Sequence, residues 1–132
     1  MLSATSNGAT PRVLVIDDDQ ALLRMLHLSL TSDGLEVGTA SDGMEALDAL
    51  SVAEYDVVVL DLQMPRMNGR AFFREMIARG HKPQVVILSA YGAEEAQREL
   101  RVAAAVPKPF DPDVLIETVR KVADAAQLEQ KR

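Results

Sequence analysis

Three short runs, 13–16 (VLVI), 57–60 (VVVL) and 85–88 (VVIL), contain nothing but valine, isoleucine and leucine. A strand with no polar face has to be covered on both sides. The cover is available in the sequence, because each run gives way to a polar break and then to apolar residues at helical spacing. Leu22, Leu23, Leu26 and Leu30 predict a helix over 20–32, and Asp33-Gly34 turns the chain into a second strand at Glu36–Ala40. Ser41 is the expected N-cap of a helix burying Met44, Leu47 and Leu50. Asn68-Gly69 opens a helix with Phe72, Phe73, Met76 and Ile77 inward, and Gly80 stands where a C-capping glycine belongs. Residues 93–102 predict a weak helix with little beyond Ala96 and Leu100 to bury. A poor strand follows at 104–106. Asp111-Pro112 starts a last helix carrying Leu115, Val119 and Val122, with Glu117 and Lys121 paired one turn apart. Strand and helix alternate five times, so the expected fold is α/β: a doubly wound, five-stranded parallel sheet with helices on both faces, the fourth short or irregular.

The chain has 132 residues, 48% of them hydrophobic, enough for one domain with a real core. We divide it into a disordered lead at 1–10, a domain at 11–126 and a polar tail at 127–132. Without cysteine there is no disulfide, thiolate metal site or cysteine nucleophile. A net charge of -6 and a pI near 4.8 argue against direct nucleic-acid binding, which needs a basic footprint. No apolar run approaches the roughly 18 residues of a membrane span. Met1–Thr10 lacks the basic flank and apolar centre of a secretion signal. The expected location is the cytoplasm.

Doubly wound sheets bind ligands outside the carboxyl ends of their strands. There the order of the chain places Asp17-Asp18-Asp19 after strand one, Asp61 after strand three, Ser89-Ala90 after strand four and Lys108-Pro109 after strand five. Crowded carboxylates raise each other's pKa, and a divalent cation with oxygen ligands relieves them. Mg²⁺ suits such a set because it takes a few carboxylates and shares phosphate oxygens. An aspartate beside it can accept a phosphoryl group, with a lysine and a hydroxyl neutralising the phosphoryl oxygens.

The motifs LVIDDD at 14–19, VVVLDLQMPRMNG at 57–69, VVILSAYG at 85–92 and PKPF at 107–110 together resemble the receiver domains of bacterial two-component response regulators. The resemblance covers about 11–126 and implies the flavodoxin-like strand order 2-1-3-4-5. It implies that Asp61 is the phospho-acceptor. It makes Asp17 and Asp18 the acidic pair that binds Mg²⁺ with Asp61 and the backbone carbonyl of Gln63. Ser89 becomes the switch hydroxyl and Lys108 the phosphoryl-pairing ammonium, with a cis bond to Pro109. The implied donor is a phosphohistidine on a sensor histidine kinase or phosphotransfer protein, and the implied output is a protein effector.

Simpler readings stand beside these. Asp19 reads as a helix cap, Met64 and Met67 as loop packing, Phe72, Phe73 and Phe110 as core, and His27 and His81 as surface. Tyr91 either shapes the mouth of the site or is a surface aromatic. The chain departs from the family at Ala105, where an aromatic is usual, and in a shortened segment between Ser89 and Lys108. Readout through the fourth helix and fifth strand is therefore expected to differ. An alternative is a pseudo-receiver that binds partners without phosphorylation. An aspartate-nucleophile phosphatase is disfavoured, since Gln63 stands where those enzymes carry a second acid. The expected protein is not an enzyme beyond its own phosphorylation and dephosphorylation.

Overall fold

The computed structural model describes residues 10–130. Most of the expected lead, residues 1–9, and the end of the tail, 131–132, lie outside the described residues. Strands β1 (Arg12–Ile16), β2 (Glu36–Ala40), β3 (Val57–Leu60), β4 (Gln84–Ser89) and β5 (Ala104–Pro107) alternate with helices α1 (Gln20–Ser32), α2 (Gly43–Val52), α3 (Gly69–Ala78), α4 (Ala93–Leu100) and α5 (Pro112–Gln130). All neighbouring strands pair in parallel, in the order β2-β1-β3-β4-β5.

Side chains on a strand alternate between the two faces, and here each parity feeds its own core. Leu14, Ile16, Val58, Leu60 and Ile87 pack with Leu47 of α2, Phe72 and Met76 of α3, and Ala96 of α4. Val13, Val15, Val57, Val59, Val86 and Leu88 pack with Leu26 and Leu30 of α1 and Leu115 and Val119 of α5. The handedness of parallel crossovers explains the split. From β1 the chain steps one way along the sheet to β2, and every later step runs the other way. A right-handed crossover therefore puts α1 on one face and α2, α3 and α4 on the opposite one. The order reverses between β1 and β3, which makes their carboxyl ends the natural place for a site.

The caps of α1 and α3 are the expected ones, and that of α2 is not. Asp19 caps α1, its side chain accepting from Leu22 N, and Asn68 caps α3 through Ala71 N. At α2 the cap is Asp42, one residue after the expected Ser41. Asp42 accepts from Glu45 N, and Glu45 reaches back to Ser41 N, which gives both orphan donors a partner. That shift turns Met44 outward, so Gly43 and Ala46 join Leu47 and Leu50 on the buried face. In α3, Ile77 is exposed and Phe73 half-buried, leaving Phe72 and Met76 as the inward pair. Phe110 is likewise only half-buried. Helix α5 continues through Gln127 to Gln130, residues expected in a polar tail.

Helix α4 is the shortest of the five and buries the smallest side chains. The helix has eight residues, buries only Ala93 and Ala96, and is bounded by left-handed residues, Gly92 (φ 65) and Arg101 (φ 56). Its short, weakly apolar character matches expectation, as does the alanine-rich β5 beside it.

Candidate functional site

Each functional side chain sits just past the end of a strand, where the last hydrogen bonds of the sheet still hold the backbone. Asp17 N donates to Ala40 O, Asp61 N to Ile16 O, and Lys108 N to Ser89 O at 2.8 Å. These bonds extend the β2-β1-β3 and β4-β5 ladders by one step and so fix Asp17, Asp61 and Lys108 relative to one another. Asp17, Asp61 and Ser89 are the buried polar residues among those described, while Asp18 is exposed.

The Lys108 ammonium donates to Asp17 Oδ2 at 2.6 Å and lies 3.6 Å from Asp61 Oδ2. Asp17 uses its other oxygen to accept from Asp19 N at 2.9 Å, which folds the acidic loop around it. Asp61 Oδ1 accepts from Gln63 N at 3.1 Å. Asp17, Asp18 and Asp61 each bring a carboxylate oxygen within 4.8 Å of the others. The Lys108–Pro109 bond is cis, as expected.

Burial pushes the Asp61 carboxyl above its ordinary range. The Gln63 N–H and the Lys108 charge oppose the shift, and the Asp17 and Asp18 charges reinforce it. For Lys108, burial favours loss of the proton, but the hydrogen bond and charge of Asp17, with those of Asp61, outweigh it and hold the ammonium above its usual value. Three clustered carboxylates against one ammonium leave an uncompensated charge of about two units, which is what a divalent cation carries. The donor set is all hard oxygen, one member is exposed to admit an ion, and the arrangement fits Mg²⁺.

The loop after Asp61 is shaped by a residue whose part in the site the sequence reading passed over. A Cβ on Gly69 would stand 2.7 Å from the backbone oxygen of Asp61 and 2.7 Å from Leu62 Cα, so only glycine lets α3 start this close to Asp61. Gly69 N donates to Leu62 O at 3.0 Å across the same contact. Arg66 has a left-handed backbone (φ 66) and pairs with Asp42, pinning the loop to the start of α2. The signal lay in the glycine of MNG, visible as a helix opener but not as a close approach. Ser89 is also placed in an unexpected way, its hydroxyl donating to the Gln63 side chain at 2.8 Å. Tyr91 is exposed, and His27 and His81 contribute nothing to the site.

The geometry has counterparts in known proteins. The family model described as "Response regulator receiver domain" matches residues 13–120. Response regulator MprA of Mycobacterium sp. (strain KMS) is 36% identical over 112 residues, covering 83% of this chain and 49% of that protein. The chain thus spans about half the length of this curated relative. The receiver domain of Francisella response regulator 1452 superposes with a TM-score of 0.80 at 31% identity, covering 88% of this chain and 98% of that one. Response regulator protein TrrA from Thermotoga maritima, solved in complex with Mg(2+)-BeF, gives 0.75 at 31% identity, covering 86% and 99%. A family match over most of the chain, on a sheet whose acidic edge is built in this way, makes the protein a member of the response regulator receiver domain family.

Proposed function

We propose that this chain accepts a phosphoryl group on Asp61 from a partner phosphohistidine and changes its protein contacts in response. The observation that carries the reading is the Lys108 ammonium held between Asp17 and Asp61 beside a three-carboxylate cluster. Asp17, Asp18, Asp61 and the backbone carbonyl of Gln63 would hold Mg²⁺. Bound there, the ion would supply positive charge to the phosphoryl oxygens as the group transfers.

The residues divide the remaining work. An Asp61 oxygen attacks phosphorus, the donor's N–P bond breaks, and the imidazole leaves with that electron pair. Lys108 pairs with a phosphoryl oxygen in the place of the Asp61 carboxylate it now approaches. Ser89 offers a hydroxyl proton to another. Asp17 holds Lys108 in position, and Gly69 lets α3 start hard against the backbone of Asp61 and Leu62. The chain turns over no substrate beyond its donor and itself.

The acidic charge argues against direct nucleic-acid contact by this domain, and no described helix is long and apolar enough to cross a membrane. We place the domain at about 11–126, working in the cytoplasm with a histidine kinase or phosphotransfer protein upstream and a protein effector downstream. The complete site weighs against a phosphorylation-independent adaptor. Incubation with a small phosphodonor and Mg²⁺ should add one phosphate to the wild type, by intact-mass spectrometry, and none to Asp61→Asn. Full labelling of that variant would sink the assignment.

A further inference from the structure

Ser89 is fully buried at the end of β4. Its Oγ lies 2.8 Å from Gln63 Oε1 and 3.1 Å from the Tyr91 carbonyl oxygen, and it accepts weakly from Tyr91 N at 3.4 Å. A serine hydroxyl has one proton to donate, and the shorter contact is to Gln63. Gln63 is exposed, and its backbone N–H is already on Asp61 Oδ1. One residue therefore touches the carboxylate with its main chain and the buried hydroxyl with its side chain.

We propose that Gln63 is a latch on Ser89: its side-chain oxygen holds the hydroxyl proton in the resting domain and must release it before Ser89 can donate to a phosphoryl group on Asp61. The inference rests on the phospho-acceptor reading of Asp61. A phosphoryl oxygen carries charge and is the stronger acceptor, so it wins the proton once present. The amide of Gln63, being exposed, then passes to water at little cost. The exchange is still a competition, and the Gln63 contact subtracts from whatever Ser89 contributes to the phosphorylated state. Gln63 is a positioning residue in this scheme: it acts through Ser89.

The test is a double-mutant cycle read by calorimetric affinity for beryllofluoride with Mg²⁺, across the wild type, Gln63→Met, Ser89→Ala and the double variant. Methionine keeps the length of glutamine but offers no oxygen. Losing one neutral hydrogen bond from the resting state should tighten beryllofluoride binding about fivefold in Gln63→Met. In the Ser89→Ala background the same substitution should change nothing, because there is no proton to hold. An unchanged or weakened affinity in Gln63→Met, or equal tightening with and without Ser89, overturns the latch. Failure of the wild type to bind beryllofluoride overturns the phospho-acceptor reading and the latch with it, whereas binding without coupling removes the latch alone.

Discussion

The centre of the sheet's carboxyl edge and its β5 end are built on opposite principles. Around β1 and β3, the two buried carboxylates are each held more than once: Asp17 by Ala40, Asp19 and Lys108, and Asp61 by Ile16, Gln63 and Lys108. Around α4 and β5, an eight-residue helix without a side-chain cap rests on two alanines beside a cleft of about 320 Å³ that reaches Ser89 and Pro107. The difference shows how such a domain separates its tasks. The chemistry needs fixed distances, and redundancy of contacts supplies them. A region that changes shape needs little buried side-chain area to release, and α4 buries only two alanines.

The sharpest way to break the comparison is to put the same substitution in both regions. Gly69→Ala should cost about 3 kcal/mol in urea unfolding, because its Cβ meets rigid backbone at Asp61 and Leu62 on contact. A cost under about 1 kcal/mol would show that the loop after Asp61 is looser than its geometry implies. Mg²⁺ comes next. At ten times its dissociation constant it should raise stability by about 1.4 kcal/mol, and this gain should vanish in Asp61→Asn. The gain should also shrink as pH falls. Asp61 keeps its proton to higher pH than an ordinary carboxyl of about 3.9, so protons begin to displace the metal above that value. A gain that persisted unchanged below the ordinary carboxylate range would place the metal elsewhere.

At the other end, Gly92→Ala has open space for its Cβ and pays only for a left-handed backbone, about 1 kcal/mol by thermal unfolding. A loss as large as that of Gly69→Ala would mean that α4 is held as firmly as the acidic loop. The smallest effect belongs to Glu99→Ala, which removes the 3.2 Å ion pair to Arg70 that links α4 to α3. Both partners are well exposed, so the change should stay within about 0.5 kcal/mol. Native-state hydrogen exchange would show a larger value as slowed opening of α4 in the wild type alone.

The same contrast governs how much could be read without coordinates. The acidic edge was legible because strand ends are marked by abrupt changes from apolar to polar residues: Asp17, Asp61 and Ser89 each stand at such a change, and Lys108 stands one proline beyond one. Contacts between side chains of different motifs were not. Nothing in VVVLDLQMP shows that Gln63 would turn its amide onto Ser89, since both groups have other partners within reach. The α2 cap was misplaced by one residue because Ser41 and Asp42 are equally good caps. Only the reach of Glu45 back to Ser41 N decides between them. In α3, Ile77 fits the apolar spacing, but the face is already filled by Phe72 and Met76. Helix α5 outran its apolar pattern because the helix continues past Ala126 to Gln130 while Leu128, 60% exposed, adds nothing to the core.

The parity of the strands has a further consequence for how this molecule can vary. Asp17 and Asp61 are each the first residue after a strand whose alternate positions are committed to different cores. Losing or gaining one codon in β1 or β3 would send each valine to the wrong helix layer and turn the carboxylate away from Lys108 at the same stroke. A library of single-residue insertions and deletions should therefore be silent in these strands and well populated near residues 101–103. Strand length is therefore a heritable constraint on the acidic edge beside the identity of its carboxylates.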